Sequence, residues 1–197
     1  MVAVINYNAG NTRSVMNALS RLGVNGVLTS DIDVIKNSDR MIFPGVGSAS
    51  WAIQELKNRE LIEVIKSYQR PFLGICLGMQ LMNSFSEEGD VELLNITDSK
   101  VKLFDKNQGV KIPHVGWNEV TFSSDPIFKG LREKEYFYFV HSYYVESSKN
   151  TIASCFYDNV SFSAGLRKNN FYGFQFHPEK SGEVGEKLLK NFLEVHL

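Results

Sequence analysis

The chain has 197 residues, 43% of them hydrophobic and 22% charged, enough apolar material for one substantial core and too little charge for disorder. Lys and Arg number 21 against 22 Asp and Glu, a net charge of -1, so no sequence-wide field favours a phosphate backbone or an anionic membrane, and neither nucleic acid nor membrane is an expected partner. The sequence lacks both an apolar run of about eighteen residues and a signal-peptide pattern, and its two cysteines make neither a disulfide framework nor a zinc pattern; a cytoplasmic location is expected.

Val2 to Tyr7 reads as a short buried strand. The turn Asn8-Ala9-Gly10-Asn11 leads into a helix with Val15, Ala18, Leu19 and Leu22 at helical spacing. Arg40 to Phe43 is a second strand, Pro44-Gly45-Val46-Gly47 a turn, and Ser48 a cap for a helix over Ala49 to Asn58. Leu61, Val64, Ile65 and Tyr68 mark another helix. Pro71 to Ile75 is a compact apolar strand, followed without a spacer by Cys76-Leu77-Gly78 and a predicted helix from Met79 to Phe85. Strands alternating with helices imply a mostly parallel sheet covered on both faces.

From about residue 95 the pattern changes to aromatic and β-branched runs. Glu119 to Ser123, Tyr136 to His141, Thr151 to Tyr157, Ser161 to Arg167 and Phe171 to His177 read as antiparallel strands, with turns at Asp158-Asn159 and Lys168-Asn169-Asn170. A last helix is expected over Glu183 to His196. No linker or repeat divides the chain, so residues 1–197 are read as a single α/β domain whose sheet is extended by antiparallel strands.

Gly74-Ile75-Cys76-Leu77-Gly78 is a G-x-C-x-G run at a strand-to-helix junction, the pattern of a nucleophile elbow. The central residue takes a strained backbone there, and side chains at the flanking glycines would collide with strand and helix. A helix N-terminus also favours negative charge on the sulfur. Cys155, in an ordinary alternating run, reads as structural. A thiol nucleophile needs a base. His177 ends the strand Phe174-Gln175-Phe176, with Glu179 two residues on to orient its ring. His141 is the rival base, His114 the third, and His196 reads as solvated. Gly45 and Gly47 end another strand, where backbone amides can face a developing oxyanion.

These segments resemble a known family. Gly74 to Gln80 together with Gly173 to Ser181 look like the class I (triad) glutamine amidotransferases. Within that class, Pro44-Gly45-Val46-Gly47, Ile112-Pro113-His114-Val115-Gly116-Trp117-Asn118 and Phe139 to Tyr144 resemble the glutaminase subunits of imidazole glycerol phosphate synthases. The resemblance covers essentially the whole chain and implies a flavodoxin-like fold with a Cys76-His177-Glu179 triad that releases ammonia from glutamine. It implies an oxyanion hole from the amides of Gly47 and Leu77, completed by reorientation of the peptide around Val46. Gln80, Ser142 and Tyr143 match positions that hold glutamine. Asn11, Trp117, Tyr138 and Lys180 match positions that face a (β/α)8-barrel cyclase subunit in a heterodimer. There the ammonia yields imidazole glycerol phosphate and a purine precursor in histidine biosynthesis. Neither a metal nor an organic cofactor is implied.

Three departures stand out: Asn6 where an acidic residue is usual nearby, Asn8-Ala9-Gly10-Asn11 in place of a Gly-x-Gly-Asn turn, and Ala49 where an aromatic is common. They support a second reading, a paralogous glutaminase subunit feeding a sugar amidotransferase of surface polysaccharide synthesis.

Overall fold

A computed structural model describes residues 1–7, 12–105 and 109–195. The turn at residues 8–11 and His196 lie outside these described residues. The first half alternates as expected: β1 (Val2–Ile5), α1 (Thr12–Arg21), β2 (Gly26–Thr29), α2 (Ile32–Asn37), β3 (Arg40–Gly45), α3 (Ala49–Asn58), α4 (Leu61–Lys66), β4 (Phe72–Cys76) and α5 (Leu77–Leu81). β2 and α2 are elements the sequence pattern does not announce. Asp31 starts α2 by accepting from the amides of Asp33 and Val34, and Ser48 caps α3 through the amide of Trp51 at 3.4 Å.

α5 differs from the predicted helix over Met79 to Phe85: it begins directly at Leu77 and stops at Leu81. Phe85 instead lies in β5 (Phe85–Ser86), which pairs with β6 (Val91–Glu92) and β7 (Lys100–Leu103); sheet pairing overrides local helical spacing there. Then come β8 (His114–Phe122), β9 (Lys134–His141), β10 (Tyr143–Val145), β11 (Thr151–Tyr157), β12 (Val160–Lys168), β13 (Phe171–Phe174) and α6 (Gly182–Glu194). β13 ends three residues short of the expected His177. The turns at Asp158 and Asn169 carry positive φ of 50° and 54°, which Asp and Asn tolerate.

β2, β1, β3, β4 and β13 are mutually parallel neighbours in that order, the flavodoxin-like doubly wound arrangement. β12 joins β13 antiparallel and leads both to β10 and β7 and to the β11–β8–β9 section. Alternate strand residues face opposite cores. Val4, Ile42, Leu73 and Ile75 pack with α1 and α6, whereas Ala3, Ile5, Met41, Phe43 and Phe72 pack with α2, α3 and α4. Leu188, Leu189 and Phe192 of α6 are buried, and each such burial contributes about 2 kcal/mol. No helix among the described residues is long and apolar enough to cross a membrane.

Candidate functional site

The C-terminal ends of the parallel strands converge on Cys76. Its register neighbour on β3 is Gly45, and β13 lies on the other side with Phe174 opposite Ile75. Cys76 has φ 53° and ψ -108°, a strained conformation for a residue with a side chain. The glycines around it follow from close packing. A Cβ on Gly74 would lie 2.5 Å from the carbonyl oxygen of Gly78, and one on Gly78 only 2.0 Å from that of Phe43. The elbow read from the sequence is thus a tight seat of α5 on β3 and β4.

His177 reaches the same point from the end of β13, and a turn of 3-10 helix at Pro178–Lys180 returns Glu179 to it. The His177 Nδ1 lies 2.8 Å from Glu179 Oε1, and Cys76 is close enough to the ring to act on its charge. The backbone is fixed too: His177 N donates to Tyr138 O at 2.9 Å and the Ser181 hydroxyl donates to His177 O at 2.7 Å. Burial opposes a charged imidazole here, but negative charge on Cys76, the hydrogen bond to it and the Glu179 carboxylate outweigh that and raise His177 to about 10.

A cavity of about 280 Å³ opens beside the sulfur, lined by Val46, Gly47, Cys76, Leu77, Gln80, Glu88, Val140, His141, Ser142 and Tyr143. Every residue expected in the oxyanion hole and around the substrate is therefore in its wall. Gly47 has φ +103°, natural only for glycine. Gln80 donates from Nε2 to Tyr143 O at 2.9 Å and to Gln175 Oε1 at 3.0 Å, so both amide hydrogens are used within the protein. Glu88 is an addition that sequence reasoning missed. It sits in an unpatterned loop, one carboxylate oxygen accepting from the Ala49 amide at 2.8 Å, and burial raises its pKa.

The rival bases are otherwise engaged. His114 Nδ1 and His141 Nε2 are 2.9 Å apart, and His141 Nδ1 donates to Tyr143 O at 2.8 Å. His114 stacks on Tyr157 with ring centroids 3.8 Å apart. Burial pushes His114 down to about 4 and His141 to about 3, so both rings are neutral in the fold where an unfolded chain would protonate them. Their contribution to stability is complete above about pH 6.5 and is lost as the pH falls toward 4. Raised in the fold, His177 contributes an opposing slope near pH 6.5 that fades below about pH 6. Urea unfolding is expected to show stability falling between pH 6.5 and 5 by up to about 1.4 kcal/mol per pH unit per histidine; a flat profile would refute the neutral pair.

Trp117, Tyr138 and Lys180 share one face. β8 and β9 pair so that Val115 lies opposite Val140 and Trp117 opposite Tyr138; the side chains of Val115, Trp117, Tyr136 and Val140 are exposed, Trp117 by 56%. Core packing therefore does not explain Trp117. The Lys180 ammonium lies 5.9 Å from the Tyr138 ring centroid. Asn11 lies outside the described residues. Cys155 is buried, and burial followed by the charge of Glu119 pushes its thiol up to about 12.

A family model for class I glutamine amidotransferases matches residues 3–195. Over 195 residues the chain is 54% identical to the Imidazole glycerol phosphate synthase subunit HisH of Bacteroides fragilis (strain YCH46), covering 98% of this chain and 99% of that one. It is 46% identical over 194 residues to the subunit of the same name from Pasteurella multocida (strain Pm70), covering 98% and 97%. A solved structure described as a glutamine amidotransferase shares the fold with a TM-score of 0.76 at 16% identity, covering 98% of both chains. The chain belongs to the class I glutamine amidotransferases.

Proposed function

We propose that residues 1–197 form one glutaminase domain whose ammonia supplies a (β/α)8-barrel cyclase subunit in the synthesis of imidazole glycerol phosphate. The observation that carries this reading is the buried Cys76-His177-Glu179 constellation at the wall of a cavity sized for one amino acid. Glu88 at the cavity wall suits the α-ammonium of glutamine, and the Gln80 oxygen and the Ser142 and Tyr143 segment supply further polar contacts.

The Cys76 sulfur, as thiolate, attacks the side-chain amide carbon, and the oxygen becomes an oxyanion toward the amides of Gly47 and Leu77, completed by reorientation around Val46. The His177 imidazolium gives its proton to the departing nitrogen, the C–N bond breaks, and ammonia leaves a γ-glutamyl thioester. Neutral His177 then takes a proton from water, whose oxygen attacks the thioester; collapse expels the thiolate and yields glutamate. Glu179 holds the ring in place. No step calls on a metal or organic cofactor.

The exposed Val115, Trp117, Tyr136, Val140 and Phe156 side chains, with Tyr138 and Lys180 beside them, suit a docking face for the barrel. Val140 belongs to this face and to the cavity wall, and Tyr138 O holds the His177 backbone, so docking there bears directly on the triad. A closed route also keeps ammonia from water, where most of it would be protonated and without a lone pair. Glutamine hydrolysis, measured with and without the cyclase subunit and its nucleotide ligand, is expected to rise at least about tenfold in the complex. Equal rates with and without it, or stimulation by a sugar amidotransferase instead, would overturn the partner assignment. The names of the curated relatives favour the cyclase.

A further inference from the structure

Because Phe174 sits opposite Ile75 in the β13–β4 register, the next residue of each segment, Gln175 and Cys76, are neighbours. Gln175 is wholly buried, where an amide side chain must satisfy both its oxygen and its nitrogen. Its Oε1 accepts from Gln80 Nε2 at 3.0 Å, and its Nε2 lies 3.6 Å from Cys76 Sγ, a hydrogen-bond distance for the larger sulfur atom.

Which end of the amide faces the sulfur follows from a fixed point. The backbone carbonyl of Tyr143 can only accept, so Gln80 must turn Nε2 toward it at 2.9 Å. The other hydrogen on that nitrogen needs an oxygen, so Gln175 presents Oε1 to Gln80 and its N–H to Cys76. His141 Nδ1 holds the same carbonyl at 2.8 Å. One backbone oxygen therefore sets the polarity of two amides in series, and the series ends in a donor at the sulfur.

We propose that Gln175 is a positioning residue: its side-chain N–H is a second donor to Cys76 Sγ beside His177, stabilising negative charge on the sulfur and aiming it at the cavity. This rests on Cys76 being the nucleophile. The competing arrangement is a thiol donating to Val140 O, 3.8 Å away; the closer Gln175 N–H at 3.6 Å and the nearby His177 ring weigh against it.

The test is the pH profile of Cys76 alkylation by iodoacetamide, read by peptide mass spectrometry on the full chain, for the unsubstituted protein, Gln175→Met and Gln175→Glu. Methionine keeps the length without a donor and is expected to slow alkylation at pH 7 about tenfold and move the profile to higher pH. Glutamate keeps the acceptor for Gln80 but puts a carboxylate at the sulfur, and a slowing of about a hundredfold is expected. With glutamine and the activating partner, kcat falls in both, while KM changes little in Gln175→Glu, which keeps the acceptor for Gln80. Circular dichroism checks folding. Should both variants fail to fold, the Gln175 side-chain amide resonances of the unsubstituted protein are expected to shift over the same pH range as Cys76 alkylation. Profiles that superimpose on the unsubstituted one, or amide resonances that ignore that range, would overturn the role of Gln175 and leave the nucleophile intact. A Cys76 inert at every pH in the unsubstituted protein would instead remove the nucleophile, and this role with it.

Discussion

Cys76→Ala is expected to lower glutamine-dependent turnover by at least about 10⁴-fold, while turnover supported by added ammonia in the complex with the cyclase subunit stays near its original level. The asymmetry follows from where the sulfur sits. It is the atom at which His177 and Gln175 converge, so removing it removes the covalent route as a whole; the remaining wall can bind glutamine but has nothing to attack with. In the proposed function the acceptor chemistry lies in another subunit and needs only ammonia. His177→Asn is expected to cost nearly as much, because members of a triad act as a unit. Steady-state rates with glutamine and with ammonium salts check both. A Cys76→Ala chain that still hydrolyses glutamine at the original rate would show that the cavity's chemistry lies elsewhere.

Gly78→Ala is expected to cost more than about 4 kcal/mol of stability, a large share of the roughly 5–15 kcal/mol available to a domain. The added Cβ would stand 2.0 Å from the carbonyl oxygen of Phe43 in the middle of β3. Neither side can yield: that carbonyl belongs to the parallel sheet, and α5 is pinned by Cys76 at one end and by buried Leu77, Met79 and Leu81 along its length. Gly23→Ala provides the contrast. Gly23, unlike Gly78, has positive φ, 71°, but a Cβ added there would meet nothing within 4 Å, so only backbone strain of about 1 kcal/mol is expected. Urea unfolding and soluble yield compare the two. A Gly78→Ala chain as stable as Gly23→Ala would mean that the elbow helix is not seated on β3.

The two substitutions also separate what is local in this chain from what is not. G-x-C-x-G and His-Pro-Glu are contiguous patterns whose backbone demands can be read without knowing the fold, and the structure places Cys76 and Glu179 on either side of His177. The helix over Ala49 to Asn58 and the strand Thr151 to Tyr157 are legible for the same reason, a clear period over enough residues. β2 and α2 are short, and Ile35 alone among their residues is buried, so no period builds up. The predicted helix past Leu81 fails because Phe85 gains more from pairing with β7 than from extending α5.

Ranking the four histidines lies partly beyond sequence reasoning. His114 and His141 differ from His177 in surroundings that only chain crossing creates: one ring pair locked nitrogen to nitrogen, the other ring set between a carboxylate and a sulfur. Glu88 leaves no signal, because a loop carboxylate acquires meaning only from the cavity it lines.

By itself the order of residues determined the elbow, the cysteine at its centre, the imidazole and carboxylate two residues apart, and the alternation that makes a parallel sheet, since each depends on neighbours within a few positions and on period. Tertiary structure alone decided that Gln175 lies beside Cys76, that His141 is paired with His114, and that Trp117 faces outward. Those facts depend on strand register and on which polar atoms are left to pair once water is gone, and segments up to about a hundred residues apart settle both together.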